Sequence, residues 1–138
     1  MDIRLVAITG AVVLAVAGCS SQPPALGGST AYVTINGIDA GGAHPVDCSQ
    51  TGWTWFFRTP KQDKGFSASL RTDDPIAANS VQIFDLAGFS GEYWQGTVGQ
   101  AKASVTGRTF TLTGQAEGYF AANPANRAQA NFAIHANC

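Results

Sequence analysis

Beyond residue 31 the apolar side chains fall into short runs in which every second position is apolar, and no amphipathic stretch with helical 3.6-residue spacing interrupts them. A period of two puts alternate side chains on opposite faces of a sheet, so the chain has strands to build with and no helix to cover them. Tyr32-Val33-Thr34-Ile35 runs into the turn pair Asn36-Gly37. Gly52 to Arg58 puts Trp53, Trp55 and Phe57 on one face and Thr54, Phe56 and Arg58 on the other; aromatics on both faces predict an inner strand. Phe66 to Arg71 alternates into a turn at Thr72-Asp73-Asp74-Pro75, and Ser80 to Leu86 follows with Val81, Ile83 and Asp85 on one side. Asp74 to Ala78 has capping and first-turn residues for at most a single helical turn. Glu92-Tyr93-Trp94-Gln95-Gly96 is a short aromatic segment. Gln100 to Val105 pairs with Arg108 to Gly114 through Thr106-Gly107, with Phe110 and Leu112 facing away from Thr109, Thr111 and Thr113. Ala130 to Ala136 closes the chain with Phe132 and Ile134 on one face. The expectation is all-β: an antiparallel β-sandwich or curled sheet of about seven to eight short strands.

The 138 residues suffice for one domain. A net charge of −1, with 12% of residues charged, leaves no electrostatic footprint for nucleic acid and excludes a charged disordered tail or a coiled coil.

Met1 to Arg4 and the uncharged run Leu5 to Ala17 form the n-region and h-region of a secretory signal. As a helix that run reaches roughly 20 Å, short of the roughly 30 Å hydrocarbon layer. It ends on Val16-Ala17-Gly18-Cys19, which resembles the lipobox of bacterial prelipoproteins. The resemblance implies a diacylglyceryl group on the Cys19 thiol, cleavage of residues 1–18 before it, and acylation of the new amino terminus. Two or three acyl chains would hold the protein on a membrane far more firmly than one. Residues 19–30, rich in Ser, Gly and Pro, read as a lipidated tether, and residues 31–138 as the folded domain.

With Cys19 lipidated, Cys48 and Cys138 remain, and in an exported chain an even remainder most simply forms one disulfide. The bond would close a loop of roughly 90 residues, worth about 4–5 kcal/mol on the chain-entropy account.

The run Phe110-Thr111-Leu112-Thr113-Gly114-Gln115-Ala116-Glu117-Gly118, then Ala122-Asn123-Pro124, then Phe132 to Cys138, resembles the C-terminal half of the mycobacterial nineteen-kilodalton lipoprotein antigen family, the LpqH-like envelope lipoproteins. Val33 to Asp39 resembles the family's first strand and turn, and Val46-Asp47-Cys48 its first internal cysteine. The resemblance implies a lipid-anchored surface antigen of the cell envelope, sensed by host innate receptors through its acylated N-terminus, with no enzymatic activity assigned. It also implies O-glycosylation of the tether, for which Ser20, Ser21, Ser29 and Thr30 are the candidates.

Other chemistry finds little to work with. His44 and Asp47 offer part of a hydrolytic set without a nucleophile beside them. His44 and His135 stand apart and there is no Cys-x-x-Cys pair, so no metal site and no cofactor is expected. Asp73-Asp74 lacks the spaced oxygen ligands of a calcium loop. The aromatic residues carry the alternative function, an envelope lipid- or glycan-binding module. Trp53, Trp55 and Phe57 either fill the core, which the size of the domain favours, or line a groove of several hundred cubic ångströms. Tyr93 and Trp94, in a glycine-flanked segment, read as the more exposed pair. A monomeric, non-enzymatic, membrane-anchored interaction module is the reading that joins these features.

Overall fold

A computed structural model describes residues 28–61 and 63–138. The signal segment, Cys19 and most of the tether therefore lie outside the described residues. Among those described the elements are all strands: β1 Thr30–Ile35, β2 Ile38–Pro45, β3 Asp47–Thr51, β4 Thr54–Arg58, β5 Gly65–Arg71, β6 Ala77–Leu86, β7 Phe89–Trp94, β8 Gln100–Thr106, β9 Thr109–Phe120 and β10 Ala128–Asn137. All pairings are antiparallel, in the order β2-β1-β10-β9-β7-β6-β5-β4-β3, with β8 also on β9. The all-β, curled antiparallel sheet expected from the alternation is the architecture found.

The two ends of that order are consecutive in the chain. β2 runs through the buried Val46 into β3, so one bent strand forms both edges and brings the sheet round into a nearly closed barrel. A backbone bond from Val46 N–H to the Ser29 carbonyl ties this corner to the chain entering β1. The long β9 is the second joint. Residues 109–115 pair with β8 and 117–120 with β7, while β10 runs along its other side.

β2 and β3 escape a pattern-based reading because they barely alternate. Ile38-Asp-Ala-Gly-Gly-Ala-His-Pro buries only Ala40, and these segments become strands because β1 and β4 offer them ladders. The expected strand at Gly52 begins two residues later, since Gly52 (φ +59°) makes the β3–β4 turn and Trp53 sits in it. At Asn36-Gly37 both residues take positive φ, 52° and 78°, the type I′ geometry that Asn-Gly favours. Asn36 also accepts from Asn131 N–H at 2.8 Å through its side chain, locking this turn to β10. On β6 the alternation fails at Asp85, whose φ of 46° marks a bulge; Leu86, not Asp85, follows Val81 and Ile83 into the core. Residues 72–76 form a turn with no helical residues.

The interior is a single cluster in which Phe57, Phe66, Phe89, Leu70, Leu112 and Ile134 are almost wholly inaccessible. Filling one closed layer of strands with side chains from all of them makes the barrel a packed core.

Candidate functional site

Cys48 on β3 and Cys138 beyond β10 form a disulfide with Cα atoms 6.2 Å apart. It lies beside the Val46 corner and holds the barrel's closing edge to the C-terminus, whose Cys138 N–H also donates to the Arg108 carbonyl.

The aromatic residues separate into three environments. Trp55 and Phe57 point inward and meet Phe110 of β9, with ring centroids 4.6 and 5.1 Å away. This trio is core packing across the barrel, at offset and tilted geometries that aromatic rings prefer. Tyr93 is buried too, its hydroxyl donating to the Ala78 carbonyl at 3.0 Å, and burial pushes its phenol above the ordinary value. Trp53 and Trp94 face solvent, Trp53 alone in its turn and Trp94 from the outer face of β7.

Among the described residues no hydrogen bond or ion pair joins His44 to Asp47. The His44 ring is hydrogen-bonded to the Ala40 carbonyl within the β2 bulge. His135 is exposed on β10, where its Nδ1 meets the Thr111 hydroxyl at 3.2 Å. Among the described residues no three His, Cys, Asp or Glu side chains converge.

The outer face of β4, β5, β6, β7 and β9 carries an arrangement that reading strands one at a time leaves unassembled. Register aligns Arg58, Ser67, Gln82, Glu92 and Glu117 in one row across five strands. On one side runs the row Phe56, Ser69, Ser80, Trp94, whose two serines share a 2.7 Å hydrogen bond. On the other side stand Phe84 and Tyr119, with Ser90 between their strands. Two depressions follow the polar row and share Gln82 and Phe84: one of about 110 Å³ beside Arg58 and Ser67, and one of about 310 Å³ reaching Glu92, Glu117 and Tyr119. The Trp94 indole N–H donates to a Glu92 carboxylate oxygen at 2.9 Å, which sets the orientation of the ring. The signal for these residues in the sequence is only their parity, opposite to the buried Phe57, Ala68, Val81 and Tyr93; which of them share a row depends on register.

The sequence pattern of the family described as Mycobacterium 19 kDa lipoprotein antigen matches residues 24–138. A protein of Mycobacterium indicus pranii described as a lipoprotein is 39% identical, with 98% of each chain covered. A second, from Mycobacterium avium subsp. hominissuis, is 37% identical over 90% of this chain and 86% of its own. The Mycobacterium tuberculosis protein named as lipoprotein LppE is 30% identical, again over 98% of each. With its disulfide-closed β-domain and a family pattern spanning all the described residues, the chain belongs to the Mycobacterium 19 kDa lipoprotein antigen family.

Proposed function

We propose that the protein is a lipid-anchored lipoprotein of the cell envelope, held on the extracytoplasmic face by acyl groups on Cys19, and that its β-domain is a non-enzymatic surface antigen and interaction module. The observation that carries this reading is Cys19 itself, which ends a signal-like apolar run at Val16-Ala17-Gly18 and stands only a short tether ahead of β1 in a chain of this family. Diacylglyceryl and amide-linked chains there supply the membrane affinity, at about 0.8 kcal/mol per buried methylene. Host innate receptors that read acylated N-termini are partners of the lipid end, and the monomeric domain is what the tether displays. The disulfide suits an oxidising compartment outside the cytoplasm. The packing of Trp55 and Phe57 against Phe110 supports a display domain over an internal lipid carrier, because the aromatic strand face is spent on the core.

The test is intact mass spectrometry of protein from its native membrane fraction, with a Cys19→Ser variant beside it. The expected mass is residues 19–138 plus acyl chains, and Cys19→Ser leaves an unacylated protein outside the membrane fraction. An unacylated wild-type mass, or one that begins at another residue, overturns the anchor.

A further inference from the structure

We infer that the outer face of β4–β9 is a binding groove for an uncharged, linear oligosaccharide, with Gln82 and Glu92 at its centre and Trp94 as its main stacking platform. The site is independent of the anchor proposed above and adds a ligand to the displayed domain.

The groove's chemistry is that of a polyol site. Its polar row consists largely of flat side chains that offer paired donors or acceptors: the Arg58 guanidinium, the Gln82 amide and the Glu92 and Glu117 carboxylates. Paired groups of that kind match vicinal hydroxyls, which present a donor and an acceptor side by side. The flanking aromatic rings match the other property of a pyranose, its apolar face of C–H groups. Phe56, Trp94 and Tyr119 are 45%, 42% and 45% exposed, far more than their core counterparts. Ser90, a small residue on the Tyr119 flank, lines the larger depression and leaves room beside that ring.

Length and charge narrow the occupant. Four strand-to-strand steps from β4 to β9 span roughly 19 Å, the reach of several linked sugars and too long for one. With Arg127 paired to Glu117, two guanidiniums stand against two carboxylates and the row is close to neutral, which favours an uncharged ligand over a polyanion or a basic peptide. Glu92 and Glu117 are also directly opposed across β7 and β9, a like-charge pairing partly offset by the Trp94 indole N–H on Glu92 and by the Gln129 amide at 3.2 Å and the Arg127 guanidinium at 3.8 Å on Glu117. Hydroxyl groups donating to the remaining lone pairs of both carboxylates would offset it further. Finally, the bond from Trp94 to Glu92 holds the indole in place before any ligand arrives, so little ordering cost falls on binding.

Full-length protein, with 5-fluorotryptophan at its three tryptophans and dissolved in dodecylphosphocholine micelles, is titrated with tetra- to hexasaccharides of the manno, malto and cello series. For at least one series the fluorine resonance of Trp94 shifts saturably while those of Trp53 and Trp55 stay put. In calorimetry the Kd rises at least about tenfold in Trp94→Ala and in Gln82→Ala, stays within about twofold in Trp53→Ala, and is insensitive to salt because the ligand is neutral. Circular dichroism confirms that each variant is folded, and the fluorine shift on the unmutated protein needs no variant. The inference is overturned if none of the three series moves Trp94, or if binding survives both groove substitutions. It is equally overturned if polylysine or polyglutamate, and not a glycan, binds the groove with a steep salt dependence.

Discussion

At the residue scale the most exacting position is Tyr93. Its ring is packed in the core while its hydroxyl satisfies the Ala78 carbonyl, so Tyr93→Phe leaves that carbonyl without its side-chain partner. The expected cost is about 1–2 kcal/mol, read as a lower urea midpoint at neutral pH. Burial holds the phenol above its ordinary value of 10.0, so the folded state favours the protonated form. Tyr93's contribution to stability is therefore complete below pH 10, the value of the unfolded chain, and is lost as pH rises through the folded value. Urea midpoints measured across the alkaline range should fall above that point in the wild type, and the fall should be smaller in Tyr93→Phe. The sequence context of Tyr93 points the other way, toward a solvent-facing pair with Trp94. Two neighbours on a strand cannot share a face, and only the pairing of Tyr93 with the buried Val81 decides which one goes in.

β9 shows at the element scale what the motif Leu112-Thr113-Gly114-Gln115-Ala116-Glu117-Gly118 is for. It changes neighbours within those residues, from β8 to β7, and each glycine marks a close approach to one of them. A Cβ on Gly114 would lie 1.9 Å from the Gln100 carbonyl oxygen, and one on Gly118 at 1.9 Å from that of Ser90. Between them Ala116 is wholly buried. Gly118→Ala is expected to destabilise the fold by about 3 kcal/mol or more, because backbone and not a flexible side chain must yield. Gly107→Ala, in the open β8–β9 turn at φ +60°, should cost only about 1–2 kcal/mol of left-handed strain. Denaturant midpoints of the two variants test the contrast. The hairpin itself was legible, since Phe110 and Leu112 alternate with threonines around Thr106-Gly107. The extension to Phe120 was not, because glycine in a strand reads as an interruption until the strand it touches is known.

For the whole molecule, closure is the central fact, and it has a covalent and a topological part. The disulfide spans 90 residues, so replacing Cys48 and Cys138 together by serine should cost about 4 kcal/mol. Thermal melts with and without reductant give the same comparison in the wild type. The pairing could be read from cysteine number and compartment alone. The barrel closure could not, since β2 and β3 lack alternation and the Val46 corner that joins them has no composition of its own. The outer groove was hidden for the same reason: its rows exist only once five strands have taken their register.

The way the chain enters the barrel also determines how it bears load. Residues 28 and 29 lead straight into β1, which is hydrogen-bonded along its length to β10 on one side and to β2 on the other. Ladder bonds lie perpendicular to the strand, so traction along β1 shears many of them at once, where a peeling force would open them one by one. The first strand thus acts as a mechanical clamp against a pull applied through residue 28, which enters the barrel at the end that the Cys48–Cys138 bridge secures.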